Sequence, residues 1–272
     1  MPVRDADRED VRLLEAAARQ AGAIILAHRG KPYRKWAKEE GTPVTEVDLA
    51  ADAALREALM GARPGYGWIS EESTDDASRL SCEAVFIVDP LDGTAGFIRG
   101  KTDFTVSLAV TREGVPVAAC VFNPSRDEMF SAAKAGGTFL NGAPVHVSTK
   151  ASLDGCRMLG AKAMFEHPAW PERWPAMELS NPSSIAYRMA LVAAGQSDAM
   201  LALSSKSDWD IAAGHLLVAE SGGIVSTHDG GILRYNQPQP VKPSIMCAGK
   251  QLYDLIHARV GGIKLGPGSN RN

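Results

Sequence analysis

Apolar residues recur every three or four positions near the start of the chain, which is the spacing of one face of an amphipathic helix. This face contains Val11, Leu14, Ala18, Ala21 and Ile25. The pattern predicts a helix over residues 4–29. A second helix is predicted over Asp48–Gly61, because residues 45–48 (TEVD) resemble a capping box and an Ala-rich segment follows.

Strand patterns fill the middle of the chain. Val85–Val88 is a short apolar run, and residues 104–111 alternate apolar with polar side chains, as a half-buried strand does. Two further strands, Val115–Phe122 and Glu128–Ala133, flank a hairpin connection, and Asn141-Gly142 is a strong turn signal. Consecutive strands without long helices between them predict an antiparallel sheet.

Helices and strands alternate in the last third of the chain. The predicted helices are Ser183–Ala194, Asp210–Glu220 and Lys250–Val260, and the predicted strands are Asp198–Leu203, Ile224–Thr227 and Ser244–Ala248. This alternation predicts a layered α/β arrangement. We therefore divide the chain into an N-terminal α+β half with an antiparallel sheet and a metal site, residues 1–146, and a C-terminal α/β half that completes the site, residues 147–272.

Composition narrows the classes of protein to which the chain can belong. Its 29 basic and 32 acidic residues give a net charge of −3, whereas binding to a nucleic acid polymer normally leaves a basic excess. The apolar runs are far shorter than the roughly 20 residues of a membrane span, and the charged N-terminus does not resemble a secretory signal. The four cysteines are widely spaced, which fits a reducing cytoplasm. From the charge, the short apolar runs and the cysteines together, we expect a cytoplasmic protein with neither a nucleic acid nor a membrane partner.

The densest candidate for chemistry is the motif DPLDGT at residues 89–94, which directly follows a predicted buried strand. Asp89 and Asp92, three positions apart in a turn, can converge on one hard cation such as magnesium, which prefers oxygen ligands. Gly93 has no side chain, so its N–H can approach an anion closely, and the Thr94 hydroxyl can orient a water. The same residue types form ordinary turns, so the motif alone leaves both interpretations open.

Four other residues also have a functional and a structural interpretation. Glu71, in the segment SEES, is either a further oxygen ligand or part of a solvated strand end. Asp210, in the segment WDIAAG, is either a ligand or the N-cap of a helix. Asp48 is either part of the site or only the acidic partner of its capping box. Lys38 is either close to the site or a surface lysine.

Taken together, these motifs resemble the inositol monophosphatase superfamily of magnesium-dependent, lithium-sensitive phosphatases. DPLDGT at 89–94 and WDIAAG at 209–214 are the hallmark patterns of that family and occur in its order, and residues 69–72 and 42–48 also match. The resemblance extends from the first helix to about Lys250. It implies the sugar-phosphatase fold, a layered αβαβα sandwich that combines α+β and α/β halves. Because the family is often dimeric, it also allows a homodimer.

The resemblance implies roles for individual residues. The ligands would be Glu71, Asp89 and the Leu91 carbonyl for a first magnesium ion, Asp89, Asp92 and Asp210 for a second, and Glu71 again for a third, weaker ion. The amides of Gly93 and Thr94 would hold the phosphate. The Thr94 hydroxyl, paired with Asp48, would help to activate the attacking water, so Asp48, Glu71 and Thr94 are the catalytic candidates. The implied cofactors are two or three magnesium ions (Mg2+), and lithium (Li+) is the expected inhibitor.

A small phosphate ester is the implied substrate. Inositol monophosphatases usually have a glutamate seven residues before the aspartate of the WD pair, whereas this chain has Leu203, which cannot accept a hydrogen bond from a polyol. Lys206 could face a second phosphate, and Arg99 and Lys101 add positive charge after the first motif unless they lie in a solvated loop. Other local segments look more like the 3'(2'),5'-bisphosphate nucleotidases. We therefore predict hydrolysis of adenosine 3',5'-bisphosphate, with Lys206 and Asp210 among the substrate contacts.

Other hypotheses stay open. Inositol-1-monophosphatase activity is the alternative, followed by hydrolysis of histidinol phosphate or fructose 1,6-bisphosphate. A regulatory binding protein is the non-enzymatic alternative, although the complete set of ligand residues argues against a dead enzyme. Residues 161–175, rich in tryptophan and proline, are expected either to form a packed surface loop or to cover the site.

Overall fold

A computed structural model describes residues 3–38 and 41–265 of the 272-residue chain. Within these residues the chain forms seven α-helices and a 3-10 helix at Ala77–Ser81. The α-helices are α1 (Asp5–His28), α2 (Glu46–Ala62), α3 (Thr94–Ile98), α4 (Lys162–Phe165), α5 (Ile185–Ala193), α6 (Asp208–Glu220) and α7 (Lys250–Val260). None of the helices in the described residues is long and apolar enough to cross a membrane.

The strands form two larger sheets and two small pairs. They are β1 (Lys35–Ala37), β2 (Pro43–Thr45), β3 (Gly67–Ser70), β4 (Ala84–Asp92), β5 (Thr105–Arg112), β6 (Val115–Asn123), β7 (Glu128–Ala133), β8 (Thr138–Leu140), β9 (Ala143–Val145), β10 (Arg157–Leu159), β11 (Glu178–Ser180), β12 (Ala199–Ala202), β13 (Lys206–Ser207), β14 (Gly223–Ser226), β15 (Val241–Lys242) and β16 (Ile245–Gly249). A seven-stranded sheet runs in the order β3-β4-β5-β6-β7-β8-β9, and a five-stranded sheet in the order β11-β10-β12-β16-β14. β1 pairs with β2, and β13 with β15.

Side-chain caps start the helices close to where the sequence predicts them. At α2 the capping box is present, because the Thr45 N–H donates to Asp48 Oδ2 (2.8 Å) and the Thr45 hydroxyl accepts from the first helical turn. At α6 the prediction of Asp210 as N-cap is wrong. Ser207 is the N-cap, and Asp210 accepts the N–H of Ser207 (2.8 Å) from the third helical position.

The predicted antiparallel sheet needs one correction. Every pair from β4 to β9 is antiparallel, but β3 pairs with β4 in parallel, since the chain crosses over between them through the 3-10 helix. β4 also extends beyond the predicted Val88 into the DPLDGT motif. The pairing with β5 shifts register between Asp89 and Asp92, so the motif occupies an irregular strand end.

Alternating side chains on the seven-stranded sheet separate two cores. In β4, Phe86 and Val88 belong to a core shared with α1 and α2, whereas Val85 and Ile87 belong to a middle core shared with α5 and α6. The middle core also takes residues from the five-stranded sheet. Both halves of the sequence therefore contribute to one core, and the division at residue 146 stays a prediction.

The five-stranded sheet separates the middle core from an outer one, which completes the predicted αβαβα sandwich. In β16, Cys247 belongs to the middle core and Met246 to the outer core beneath α7. Trp170 and Trp174 pack into this outer core, and the Arg259 guanidinium lies 5.1 Å from the centre of the Trp174 ring. Of the two interpretations of residues 161–175, the structure supports the packed surface segment.

A buried ion-pair cluster fastens α1 to the far end of β5. Arg112 donates hydrogen bonds to Asp7, to Asp10 (2.8 Å) and to the Tyr66 hydroxyl (2.7 Å), and both aspartates are almost fully buried. Asp10 also binds Arg63 Nε (3.1 Å), so loss of the Arg112 cation would leave one buried carboxylate, that of Asp7, without its ion-pair partner, which costs about 3–5 kcal/mol. We expect Arg112→Met to lower the free energy of unfolding in urea by about this amount.

The matched control is Arg12→Met, since Arg12 is exposed on α1, the helix that contains Asp7 and Asp10. We expect this substitution to change the free energy of unfolding by less than about 0.5 kcal/mol. Equal stabilities of the two variants would contradict the role of the cluster.

Candidate active site

Three carboxylates from the two halves of the chain meet at the edge of the middle core. Asp89 and Asp92 lie at the irregular end of β4, and Asp210 lies in the first turn of α6. Each offers one oxygen atom, and these three oxygens all lie within 4.8 Å of one another. The two halves are joined beside the cluster, because the Ser107 hydroxyl of β5 donates to the Trp209 carbonyl (3.2 Å). The structure therefore brings together the aspartates of both motifs.

Hydrogen bonds hold these carboxylates in place from outside the cluster. Asp92 Oδ2 accepts from the Ser184 hydroxyl (2.6 Å) and from Ala186 N (2.7 Å), both at the start of α5. Asp89 Oδ1 accepts from Leu91 N (3.0 Å) within the motif. Together with the capping bond of Asp210, these contacts fix the spacing of the three side chains before any ligand binds.

The electrostatics of the cluster favour a cation. Burial, with the charges of Glu71, Asp92 and Asp210, raises the pKa of Asp89 well above its ordinary value. Burial is also the main reason that the pKa of Asp92 is raised to about 6 and that of Asp210 to about 8. Buried carboxylates that repel one another at this distance form an all-oxygen donor set, which fits a hard divalent cation.

A threonine–aspartate pair adjoins the cluster. The Thr94 hydroxyl lies 2.7 Å from Asp48 Oδ1 and 2.9 Å from the Leu91 carbonyl oxygen, and the Thr45 hydroxyl donates to Asp48 Oδ2 (2.5 Å). Asp48 is 1% exposed, and burial raises its pKa. One carboxylate therefore completes the capping box and also accepts the Thr94 hydroxyl, and the catalytic role of Asp48 stays a prediction.

Gly93 occupies a position that only glycine fits. Its φ of 95° is left-handed, and a Cβ atom there would lie 3.1 Å from Ser184 N and 3.3 Å from the Asp103 carbonyl oxygen. α3 begins at the next residue, Thr94, and first-turn amides of a helix have no acceptor within that helix. The turn therefore presents backbone N–H groups beside the carboxylates, in the position expected of a phosphate contact.

Glu71 and Lys38 form an ion pair with each other. Lys38 Nζ donates to Glu71 Oε1 (3.0 Å) and to Glu72 Oε1 (2.9 Å), so Lys38 is not a free surface lysine, and its place in the site depends on the role of Glu71. Glu71 does not belong to the group of three oxygens within 4.8 Å, although its charge contributes to the raised pKa of Asp89. Its role as a metal ligand, like that of the Leu91 carbonyl, stays a prediction.

The side of the cluster formed by α5 and α6 contains two buried cations. Lys206 was predicted, and it is buried directly before the capping box of α6. Arg188 in α5 was missed, although it is the only charged residue in the apolar helix IAYRMALVA, which is the signal that could have revealed it. Arg99 and Lys101 are exposed, as their interpretation as loop residues requires.

Two side chains that position the site were also missed. Asp52 of α2 accepts hydrogen bonds from the hydroxyls of Ser70 (2.5 Å) and Ser73 (2.7 Å), which flank Glu71 and Glu72. Ser184 orients Asp92. Both act through pairings distant in sequence, which no local motif reveals.

The layered fold and the acidic site together define a phosphatase of the sugar-phosphatase fold. The model of the inositol monophosphatase family matches residues 7–264, so the chain belongs to this family. The resemblance inferred from the motifs is confirmed at this level. Members of the family are phosphatases, which makes the chain a phosphoric monoester hydrolase.

The relatives cover most of the chain. Nus factor SuhB of Escherichia coli is 34% identical over 226 residues, 79% of this chain and 84% of that protein. An inositol-1-monophosphatase of Mesorhizobium japonicum is 36% identical over 202 residues, 71% of this chain and 75% of the relative. The structure of the extragenic suppressor protein SuhB from Bartonella henselae shares 28% identity with a TM-score of 0.78, covering 93% of this chain and 98% of its own. The Thermotoga maritima IMPase structure shares 26% identity with a TM-score of 0.80, covering 93% of this chain and 96% of its own.

The names of these four relatives do not select one substrate or one partner. Two of the proteins are named SuhB and two are named as an inositol monophosphatase, and none of the four is named as a bisphosphate nucleotidase. The expectation that this chain has no nucleic acid partner therefore stays a prediction, as does the homodimer.

Proposed function

We propose that the chain is a magnesium-dependent phosphomonoesterase in which a water attacks the phosphorus of a small phosphate ester. The observation that supports this most directly is the cluster of Asp89, Asp92 and Asp210, buried beside the Thr94–Asp48 pair. Three oxygen donors of this type suit magnesium better than zinc, which favours nitrogen and sulfur ligands.

The residues proposed to hold the metal ions are Glu71, Asp89, the Leu91 carbonyl, Asp92 and Asp210. When bound, magnesium supplies the Lewis acidity that lowers the pKa of a water and neutralises charge on the phosphoryl oxygens. In the same proposal, two or three ions occupy the site and lithium inhibits by competing for it.

The chain's own groups orient the water and the ester. The Thr94 hydroxyl donates its hydrogen to Asp48, which leaves its oxygen lone pairs to accept a hydrogen bond from the attacking water. The raised pKa of Asp48 favours uptake of a proton through this pair. The amides of Gly93 and Thr94 bind the phosphoryl oxygens, and they stabilise the charge that builds there.

Adenosine 3',5'-bisphosphate is the substrate that the remaining residues favour. Leu203 is half-buried against the outer core, so that position offers no acceptor for a polyol hydroxyl. Burial lowers the pKa of Lys206 and the charge of Asp210 raises it, which supports a cation close to the proposed metal cluster. A cation there suits a substrate with a second phosphate.

Inositol 1-phosphate is the second candidate substrate. It is favoured by a single observation, the 36% identity to a protein named inositol-1-monophosphatase. If this candidate is correct, a residue other than Leu203 must bind the polyol hydroxyls.

The test is phosphate release from the two esters, measured side by side with magnesium and with excess chelator. We expect release from adenosine 3',5'-bisphosphate to exceed that from inositol 1-phosphate by about tenfold or more in kcat/KM, and to stop with chelator. Preference for inositol 1-phosphate would overturn the nucleotide assignment only. Release that persists in chelator would overturn the role of the metal.

We also infer a reducing, cytoplasmic environment for the chain. Its four cysteines are all free thiols, and three of them are buried. Fractionation of cells that express the protein with an affinity tag would test this. Recovery of the tagged protein in an extracytoplasmic fraction would contradict it.

A further inference from the structure

Arg188 is a buried cation whose hydrogen-bonding capacity is mostly unused. It is 9% exposed, and its Nε donates to the Pro182 carbonyl (2.6 Å), which fixes the orientation of the guanidinium. Across residues 3–38 and 41–265, its two terminal nitrogens make no hydrogen bond and no ion pair with a carboxylate. A guanidinium has five N–H donors in a planar fork, and this one therefore leaves four of them available for a ligand.

Lys206 is a second cation on the same side of the acidic cluster. It is also 9% exposed, and its Nζ donates to the Ser204 hydroxyl (2.7 Å) and to the Ser205 carbonyl (2.8 Å). These neutral partners hold the ammonium without neutralising it. In the described part of the chain, no carboxylate lies within 4.0 Å of this nitrogen.

The two cations are close enough to repel each other. Burial lowers the pKa of Lys206 and the charge of Arg188 lowers it further, whereas the charges of Asp210 and Asp92 raise it. Burial also lowers the pKa of Arg188, and the charges of Asp92 and Asp103 raise it. The start of α5 explains this proximity, because Ser184 and Ala186 bind Asp92 and Arg188 follows within the next turn. Nearby carboxylates offset part of this repulsion, but among the described residues none pairs directly with either cation, so an anion bound between the two would gain from both charges.

We infer that Arg188 and Lys206 form a second anion subsite, which binds a phosphate group of the substrate other than the one that is hydrolysed. The inference rests on the proposed function, because it assigns a substrate class, phosphomonoesters with a second phosphate, to the same cleft. The fork of Arg188 suits two parallel hydrogen bonds to one phosphate, and Lys206 adds a point charge.

The alternative role for these cations is to balance the charge of the carboxylate cluster. A balancing role would affect every substrate equally, since it acts through the metal site. A subsite affects only substrates that carry the second phosphate. The pair adenosine 3',5'-bisphosphate and adenosine 3'-monophosphate differs only in this group and therefore separates the two roles.

The experiment measures kcat/KM for both nucleotides in the wild-type protein and in Arg188→Gln. We expect the preference for the bisphosphate to fall about 10- to 100-fold in the variant, the range for losing a charge-assisted hydrogen bond, while kcat/KM for the monophosphate changes less than about threefold. An equal loss on both nucleotides would overturn the subsite and assign Arg188 to charge balance.

Arg234→Gln is the matched control. Arg234 is exposed and precedes Tyr235, whose N–H donates to Gly114 O in the β5–β6 turn, at the opposite end of the sheet from Asp92. This variant has the same change in net charge, so we expect it to retain the wild-type preference. A comparable loss of preference in Arg234→Gln would show a long-range effect of net charge and would overturn the subsite.

Two further measurements keep the outcome decisive. If Arg188→Gln does not fold, Arg188→Lys retains the charge without the fork and is expected to lose about three- to tenfold of the preference; no loss would contradict bidentate binding.

If neither nucleotide is hydrolysed, the proposed nucleotidase function fails. The ratio of calorimetric dissociation constants for the two nucleotides then tests the subsite, and an equal ratio in wild type and variant overturns it.

Discussion

Replacing Asp89 by asparagine is expected to lower magnesium-dependent phosphate release at least about a thousandfold while the protein stays folded. Asparagine keeps the size of the side chain and can still accept the hydrogen bond from Leu91 N. It removes one negative charge from a cluster in which Asp92 and Asp210 each present an oxygen within 4.8 Å of it. The donor set then binds a divalent cation more weakly, and the reaction loses the Lewis acid.

The same substitution is expected to stabilise the metal-free protein at neutral and mildly alkaline pH. Burial raises the pKa of Asp89, of Asp92 to about 6 and of Asp210 to about 8 in the folded state. These groups therefore make their full contribution to the free energy of unfolding below the ordinary aspartate pKa of about 4. This contribution is lost as pH rises toward about 8. With one charge fewer, Asp89→Asn loses less stability over this range.

Thermal unfolding with and without magnesium, at about pH 5 and about pH 8, measures both effects together with phosphate release. In wild type, magnesium should raise Tm mainly at the higher pH, where the carboxylates are ionised. At about pH 8, the metal-free Tm of Asp89→Asn should be higher than that of wild type, and magnesium should raise it by less. Asp154→Asn, at an exposed position, should match wild type in every measurement. Retention of more than about a tenth of the activity by Asp89→Asn would contradict the assignment.

Local chemistry in the sequence was sufficient to predict the elements and residues that depend on near neighbours. The capping box at Thr45 and Asp48 predicted the start of α2, because all of its hydrogen bonds lie within one helical turn. Asn141-Gly142 predicted a turn for the same reason, and it joins β8 to β9, although those two short strands were not predicted. The acidic motif predicted the β4 side of the cluster, since the two aspartates are only three positions apart.

Features that depend on pairing across the fold were not predictable in this way. The parallel pairing of β3 with β4 follows from the crossover between them, and the alternation of apolar residues is the same for either strand direction. Arg188 is close to Asp92 only because the start of α5 binds that carboxylate. A single charge in an apolar helix indicates that something must compensate it, but not what the partner is.

The second large effect is expected for Thr94→Ala, which should lower kcat about a hundredfold with little change in KM. The hydroxyl lies 2.7 Å from Asp48 Oδ1 and orients no other side chain among the described residues, so its loss affects the water more than the binding of the ester. It also removes a hydrogen bond that lowers the pKa of the buried Asp48. The acidic limb of the pH–rate profile should therefore shift to higher pH in the variant.

Thr94→Ser separates this role from a packing role, because serine retains the hydroxyl and removes only a methyl group. We expect the serine variant to keep kcat within about threefold of wild type and to keep the wild-type pH profile, whereas the alanine variant loses both. A purely structural role of Thr94 would instead lower the Tm of both variants and leave the pH profile of the residual activity unchanged. The Thr94 hydroxyl donates to Asp48 and can still accept a hydrogen bond from water, so its loss should lower kcat. Equal kcat values for the alanine and serine variants would therefore show that the Thr94–Asp48 pair has no part in the mechanism, and activation of the water would depend on the metal alone.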